Sequence, residues 1–228
     1  MIPHTRPAGA TLDRLAQARA AGAPLVVAQL GQSLDGRIAT PTGHSHYVNG
    51  DAAITVLHEL RAAVDAVVVG AGTAAADDPQ LTVRRCAGQN PARVVIDRRR
   101  RAGSALRMLR DNGVQRIVIG PPHADDPAGI DYIAPENGPT TSPAAIIAAL
   151  SRRGLSRVLV EGGAATVSAF LAAGVVSQLC VLVAPLIIGS GPVGIRLPDI
   201  ETLGEALRPR TTITTLEGGD VVFDCALS

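Results

Sequence analysis

Lysine is absent from this chain of 228 residues, and all 21 of its cationic side chains are arginines. A protein without lysine cannot form a Schiff base through that side chain, which excludes pyridoxal-dependent catalysis and class I aldolase chemistry. It also lacks the lysine with which a Walker-type loop contacts nucleotide phosphates, so that kind of nucleotide site is excluded.

Cysteine is scarce as well, with only Cys86, Cys180 and Cys225 in the whole chain. The three are far apart, odd in number and without a Cys-x-x-Cys pair, which argues against a disulfide framework and a structural zinc site. The five histidines lack metal-binding spacing, although His44 and His46 flank one serine. We therefore predict no metal site, and we expect Cys180 and Cys225, which lie in apolar runs, to be small core residues.

The chain has neither a strong net charge nor a long apolar run. Its net charge is +1, and the one dense charged stretch, the four arginines 98–101, is too short for a nucleic-acid groove. No apolar stretch is long enough to span a bilayer, and the N-terminus has no signal pattern. We expect a cytoplasmic protein with no nucleic-acid or membrane partner.

What the chain does have is an alternation of strand and helix patterns. Residues 1–24 indicate a tail and a short amphipathic helix, and residues 25–228 a single domain. Apolar, β-branched runs predict buried strands, and capping signals predict helices from Asp51, Ser104 and Ser142. Residues 211–226 indicate a β-hairpin, while Asp35 and Asp78 stand in turn-forming pairs. This order predicts an α/β fold, with a mainly parallel sheet covered on both faces and an antiparallel C-terminal hairpin.

The stretch 157–174 has the pattern of a strand, a glycine turn and a helix without a break. Glu161 ends the strand, and Gly162 and Gly163 allow a sharp turn that brings bare amides close to a ligand. An exposed helix N-terminus favours an anion, most often phosphate, although a tight turn without a ligand fits the glycines equally well. A second strand-to-helix junction, at residues 70–73, should lie on the same sheet edge, where ligands bind in such folds.

Three segments together resemble the reductase domain of the bacterial riboflavin biosynthesis proteins. They are residues 32–39, residues 69–84, and residues 160–163 continuing to 184–189. The resemblance covers residues 25–228 and implies a dihydrofolate-reductase-like three-layer sandwich that acts as a homodimer. It also implies an enzyme that uses NADPH to reduce the ribosylamino group of a phosphorylated aminopyrimidine to ribitylamino. The zinc-deaminase signature of longer members is absent.

The resemblance also implies the site residues, matched by position. The residues implied to hold the dinucleotide are Gly31, Tyr47, Thr73, Asp77, Gly163, Ala164, Ala165, Thr166, Val167, Ser168 and Ala169. Those implied to hold the substrate are Ser45, Arg61, Leu81, Arg84 and Glu161. The residue types suit these roles, because the planar arginine fork matches a phosphate. Tyr47 would offer the nicotinamide a flat wall, or would be an exposed turn aromatic.

Two roles stay open at this stage. Arg98 follows a predicted strand, where an arginine is expected to bind the 2′-phosphate of NADPH, although a solvated arginine run fits as well. The preference for NADPH over NADH is therefore not fixed. Reducing an imine also needs a proton, for which Asp77 and Glu161 are the candidate acids. Either could instead accept hydrogen bonds from the ligands, with water as the proton donor.

Departures from the family pattern leave the exact substrate open. Gln29 stands where many members have lysine, Tyr47 stands where tryptophan is usual, and Ser177-Gln178 replaces an acidic pair on the expected dimer side. One alternative is a sister NADPH reductase that acts on another pyrimidine or heterocycle. A second is a nucleotide-binding module without turnover.

Overall fold

The computed structural model describes residues 6–46, 48–103, 105–122, 124–134 and 142–227, which form five α-helices and nine strands. The helices are α1 Gly9–Ala21, α2 Asp51–Ala63, α3 Ala71–Asp77, α4 Pro143–Ser151 and α5 Ala164–Ala172. The strands are β1 Leu25–Ser33, β2 Ala66–Gly70, β3 Ala92–Ile96, β4 Arg116–Ile119, β5 Asp131–Ile133, β6 Arg157–Glu161, β7 Gln178–Ala184, β8 Arg210–Thr215 and β9 Val221–Ala226.

The strands form one sheet in the order β5-β4-β3-β2-β6-β1-β7-β9-β8. Pairing is parallel from β5 through β7, and antiparallel where β9 joins β7 and β8. The predicted α/β fold, with a mainly parallel sheet and an antiparallel C-terminal hairpin, is therefore confirmed. A strand covered on both faces needs apolar side chains on both, which explains the unbroken valine runs.

Two hydrophobic cores lie on opposite faces of the sheet. Val67 and Val69 of β2 face the core that α1 and α2 cover, whereas Val68 faces the core that α4 and α5 cover. The alternation follows from the two-residue period of a strand. Cys180 and Cys225 are 0% and 6% exposed, which confirms them as core residues. Burial also raises the pKa of the Cys180 thiol.

Helix α1 is fastened to the far end of the chain. Its third amide, from Thr11, donates to Asp224 Oδ2 at 3.0 Å, and the Thr11 hydroxyl donates to Asp224 Oδ1 at 2.5 Å. A carboxylate from β9 thus caps a helix whose own N-cap, Ala8, has no capping side chain. The division of the chain at residue 24 stays a prediction.

The helix predicted from Ser104 is wrong over the described residues that follow it. Ser104 itself lies outside the described residues, and from residue 105 to the start of β4 the only helical segment is a 3₁₀ turn, Arg107–Leu109. Two buried arginines of the sheet form hydrogen bonds with main-chain carbonyls of this segment. Arg93 donates to Arg110 O at 2.9 Å, and Arg116 donates to Leu109 O at 3.1 Å. These carbonyls are therefore engaged by side chains from the sheet, in a segment that does not continue as an α-helix.

Two aspartates predicted to form turns have that role. Asp35 accepts hydrogen bonds from the Ser33 hydroxyl at 2.6 Å and from the amides of Ile188 and Gly189 at 3.1 and 2.8 Å. These contacts, the Ser33 hydroxyl first, lower the pKa of Asp35 to about 2. Asp78 lies in the left-handed region with φ 36° and accepts from the Arg107 amide at 2.7 Å.

No helix within the described ranges is both long and apolar enough to cross a membrane. The cytoplasmic location stays a prediction.

Candidate active site

The two strand-to-helix junctions lie side by side, because β2 pairs in parallel with β6. They also interlock. A Cβ added to Gly70 would lie 2.3 Å from Thr166 Oγ1, and one added to Gly163 would lie 2.3 Å from Thr73 Oγ1. Each glycine thus leaves the space that the threonine of the other junction fills. The prediction that both junctions share one sheet edge is confirmed.

A cleft of about 540 Å³ opens above this edge. Several predicted residues line it, namely Gly31, Ser45, Thr73, Asp77, Gly163, Ala164, Ala165 and Thr166. Its other walls are largely apolar, with Ile38, Ile54, Leu57 and Leu182 among them. The cleft therefore combines polar and apolar lining residues, as small-molecule sites commonly do.

The N-terminus of α5 opens into this cleft. Gly163, just before the helix, has φ 64° and ψ 105°, and none of the side chains the structure describes caps the helix there. The amides of a helix's first turn have no partner within the helix, and they carry the positive end of its dipole. This turn is suited to bind a phosphate group.

A second cavity, of about 790 Å³, adjoins the first. The two share Gly70, Gly72, Ala165 and Thr166. The second is also lined by Arg98, by two further arginines of the same run, Arg99 and Arg101, and by Ala169. The sequence analysis did not assign the two further arginines, although the run itself was a visible signal. Together the cavities form a long site with the first turn of α5 between them.

Asp97 shapes the arginine wall of the second cavity. Its carboxylate is 2% exposed, and it accepts hydrogen bonds from the amides of Arg101 at 2.8 Å and Ala102 at 2.9 Å. The chain therefore turns back directly after β3, and the arginines line the space beside the N-termini of α4 and α5.

Asp77 is the candidate acid that lies in the cleft. Ser45 Oγ approaches its Oδ1 at 3.4 Å, a long contact. Partial burial raises the pKa of Asp77, and the Ser45 hydroxyl and the charge of His46 offset this only in part. A carboxyl group with a raised pKa holds its proton to higher pH, as a general acid must.

The other candidate acid, Glu161, is bound to Arg61. Arg61 Nε donates to Glu161 Oε2 at 2.8 Å, and the Nη2 group donates to Oε1. The remaining guanidinium nitrogen donates to Thr82 O at 3.2 Å, and both side chains are buried. The structure therefore brings these two predicted residues to each other, and neither is among the residues that line the cleft. Their predicted substrate contacts stay predictions.

Leu81 and Arg84 lie in the loop after α3. Leu81 has φ 54° and is 1% exposed, so its side chain belongs to the core. Arg84 is exposed, and its Nη1 donates to Thr82 Oγ1 and, at 3.3 Å, to Gln80 Oε1. Partial desolvation and the positive charges of Arg61 and Arg107 lower the pKa of Arg84. Such a group of like charges favours an anion such as phosphate.

Two further predicted residues have side chains with contacts away from the cleft, and a third lies outside the described residues. Val167 is fully buried in the core, and Ser168 Oγ accepts a hydrogen bond from the Arg196 amide at 2.8 Å. Tyr47 lies outside the described residues. Their predicted roles are untested.

Asn49 is a cleft residue that the sequence analysis missed. Its Nδ2 donates to Leu182 O at 3.1 Å and to Asp220 Oδ1 at 2.8 Å, and its Oδ1 fills the space above Gly31. A Cβ on Gly31 would lie 2.1 Å from that oxygen. Only the approach of the C-terminal hairpin creates this arrangement, so no local sequence signal could have revealed it.

Gln29 also lines the cleft, and it is 4% exposed. It stands on β1, opposite Glu161 of β6 and Cys180 of β7. The sequence analysis noted this residue as a departure from the family's lysine. The structure puts a neutral amide, which can both donate and accept hydrogen bonds, at that position.

The model of the RibD C-terminal domain family matches residues 24–220. The chain belongs to this family. It is 31% identical over 220 residues to the 2,5-diamino-6-ribosylamino-4(3H)-pyrimidinone 5′-phosphate reductase of Methanothermobacter thermautotrophicus, a match that covers 88% of this chain and 97% of that protein.

Solved structures extend the likeness to the fold. The deaminase/5-amino-6-(5-phosphoribosylamino)uracil reductase of Thermotoga maritima superposes with a TM-score of 0.76 at 27% identity. The match covers 93% of this chain but only 59% of that longer one. The dihydrofolate reductase of Enterococcus faecalis, complexed with NADP(H), shares the fold at a TM-score of 0.51 and 12% identity, over 90% of this chain and 97% of that one.

These comparisons confirm the resemblance stated from the sequence. They also confirm the dihydrofolate-reductase-like fold and the enzyme class, a pyrimidine reductase of riboflavin biosynthesis.

Proposed function

We propose that this chain is an NADPH-dependent reductase that converts the ribosylamino group of a phosphorylated aminopyrimidine to ribitylamino. The observation that carries the proposal is the pair of adjoining cavities that meet at the interlocked turns of Gly70 and Gly163. A dinucleotide has a pyrophosphate between two rings, and this site has an anion-binding helix start between two cavities.

The residues present fit a nicotinamide dinucleotide. The close approach at Gly163, which a Cβ would block, leaves the amides of Ala164 and Ala165 open to the pyrophosphate. Arg98, with Arg99 and Arg101, would bind the 2′-phosphate in the larger cavity. Thr73, Gly31 and Asn49 would flank the nicotinamide end in the smaller cleft. When bound, NADPH supplies a hydride.

The chain's own contribution to the chemistry is a proton and a fixed orientation. The substrate is the ring-opened imine, whose C1′ becomes the CH₂ carbon of the ribitylamino group while its nitrogen gains a proton. We assign that proton to Asp77, because Asp77 lies in the cleft and partial burial raises its pKa. Arg84 would bind the substrate phosphate, and the Gln29 amide would hydrogen-bond the pyrimidine.

Glu161 takes a different role in this proposal. Both of its oxygens already accept hydrogen bonds from Arg61. The pair ties α2 to the end of β6, directly before the Gly162-Gly163 turn. We propose that it fixes the position of that turn and of the substrate loop.

We also propose a homodimer. Strand β8 lies at the edge of the described sheet and exposes 56% of Ile213. Other large apolar side chains, Ile187, Leu203 and Leu207, are 60–77% exposed. A second copy of the chain would cover such surfaces. Light scattering should then give twice the mass of the chain, and a single-chain mass at working concentration would contradict the proposal.

NADPH oxidation tests the function directly. The substrates named for the two relatives differ at C2 of the pyrimidine, which carries an amino group in one and an oxo group in the other. We expect loss of the NADPH absorbance with at least one of them, at equal enzyme concentration. Tight NADPH binding without turnover on either would instead support a nucleotide-binding module.

A further inference from the structure

The loop of residues 78–85, called here the Arg84 loop, carries the side chain proposed to bind the substrate phosphate. Side chains from outside the loop form three hydrogen bonds with its main chain. Arg61 Nη1 donates to Thr82 O at 3.2 Å, the Val83 amide donates to Asn90 Oδ1 at 2.7 Å, and the Arg84 amide donates to His58 Nδ1 at 2.9 Å. The last of these contacts fixes the main chain of Arg84, whose guanidinium is proposed to bind the substrate phosphate.

The position and burial of His58 suit this contact. It lies on α2 one turn before Arg61, so both side chains project from one face of the helix towards the loop. It is 2% exposed. Since the amide of Arg84 can only donate, Nδ1 must accept, and the ring must be the neutral form with its proton on Nε2.

Burial and the surrounding positive charges keep the His58 ring neutral. Burial comes first, and the positive charges of Arg61, Arg84 and Arg85 add to it, against the single opposing charge of Glu161. Together they lower the pKa of His58 to about 4. A protonated ring would also set an N–H group against the Arg84 amide. The hydrogen bond is therefore intact throughout the neutral pH range.

We propose that His58 is a positioning residue for substrate binding: through Nδ1 it holds the Arg84 main chain so that the guanidinium faces the substrate phosphate. The inference rests on the proposed function, because it takes the role of Arg84 from there. Arg61 and His58 have separate contacts. Arg61 donates to Thr82 O and to the Glu161 carboxylate, whereas His58 accepts from the Arg84 amide. His58 is not among the residues that line either cavity.

Three substitutions separate this role from simple packing. His58→Ala removes the acceptor, His58→Gln places an amide oxygen near the former Nε2, and His58→Asn places one near the former Nδ1. We expect KM for the phosphorylated substrate to rise about tenfold in His58→Ala and His58→Gln, with kcat within about twofold and the Kd of NADPH unchanged. His58→Asn should restore KM to within about threefold of the wild type.

A second readout does not depend on activity. Hydrogen exchange at the Arg84 amide should accelerate in His58→Ala and stay slow in His58→Asn, whereas the Thr55→Ala control, on the exposed side of α2, should leave it unchanged. An unchanged KM in His58→Ala, an Asn variant as defective as the Ala variant, or an equal loss of NADPH affinity would overturn the inference. If His58→Ala does not fold, the comparison of the Asn and Gln variants decides. Failure of the wild type to oxidise NADPH with either pyrimidine would instead overturn the proposed function.

Discussion

The two ends of the parallel sheet use arginine in different ways. At the amino ends of the strands, arginines are bound into the fold. Arg157 pairs with Asp65, while Arg93 and Arg116 donate to main-chain carbonyls of the loop 106–113. All three are fully or largely buried. These side chains hold loops against the sheet, and none of them lines either cavity.

At the carboxyl ends, Arg84 and Arg98 are exposed instead. Arg98 lines a cavity, and Arg84 lies among other positive charges. Not every arginine at this end is exposed, because the carboxylate of Glu161 binds Arg61 into the fold. In a protein whose cations are all arginines, residue type does not reveal the role. The partner packed against each guanidinium decides it, and the following substitutions test that difference.

The largest effect is expected from breaking the buried pair. Arg61→Met leaves the Glu161 carboxylate buried without its partner, which should lower the free energy of unfolding by about 3–5 kcal/mol. Urea unfolding measures this. The matched change at an exposed arginine, Arg84→Met, should cost less than about 0.5 kcal/mol. Equal losses in the two variants would show that the division into buried, paired arginines and exposed arginines is wrong.

Gly163→Ala should mainly affect the cofactor. The new Cβ would lie 2.3 Å from Thr73 Oγ1, which must displace one of the interlocked turns. We expect the Kd of NADPH to rise about 100-fold, equivalent to about 2.7 kcal/mol. Gly174→Ala is the control, since Gly174 has nearly the same φ, 66°, at the other end of α5, with nothing within 4 Å. Both variants should lose about 1–2 kcal/mol of stability, but only the first should lose NADPH affinity. Unimpaired NADPH binding by Gly163→Ala would exclude the proposed pyrophosphate site.

Arg84→Ala should raise KM for the phosphorylated substrate about tenfold, equivalent to about 1.4 kcal/mol, because a charge-assisted contact to phosphate is lost. The Kd of NADPH should stay within about twofold. Steady-state kinetics and a binding titration measure the two. The same substrate without its phosphate serves as the control, and its KM should be the same for the wild type and the variant. An equal rise in the KM for the substrate and the Kd of NADPH would contradict the role proposed for Arg84.

Arg98→Ala should weaken NADPH binding about fivefold, near 1 kcal/mol, and leave NADH binding unchanged, because only NADPH carries the 2′-phosphate. Fluorescence titration with both dinucleotides measures the ratio. Arg208→Ala, an exposed arginine outside both cavities, is the control. A loss of equal size for NADH and NADPH would assign Arg98 to the solvated run that the sequence also allowed.

The smallest effect concerns acid stability. Contacts lower the pKa of Asp35 to about 2 in the folded protein, whereas an unfolded aspartate titrates near 3.9. The unfolded state therefore binds more protons between these values, and the stability that Asp35 contributes is present above about pH 4 and lost as the pH falls towards 2. Unfolding curves of Asp35→Asn should show a weaker dependence on pH in that window. An identical dependence would mean that Asp35 does not hold the turn.

Local patterns predicted much of the fold and of the cofactor edge. The run 157–174 predicted strand, turn and helix because each signal depends only on neighbouring residues: β-branched side chains, two glycines and an apolar helix face. The helix from Ser104 shows the limit of such signals. There, side chains from β3 and β4, distant in sequence, engage the main-chain carbonyls of residues 109 and 110.

Helix α2 shows the same limit at the site. Ile54 and Leu57 have the helical spacing of an apolar face, and both line the cleft. The fully buried positions are Ala53 and Leu60. Periodicity predicts that a face is apolar, but it does not distinguish a core from a ligand pocket, since both exclude water.

The amino-acid sequence by itself determined the order of strands and helices, the glycine turns and the family, because these follow from local backbone preferences and from motifs that remain contiguous along the chain. Only the tertiary structure decided which charged residues are buried in ion pairs and which are exposed. Arg61 and Glu161 are 100 residues apart and become partners only when α2 packs beside β6. A buried charge needs a counter-charge wherever the chain can supply one, and the folded topology alone determines where that is.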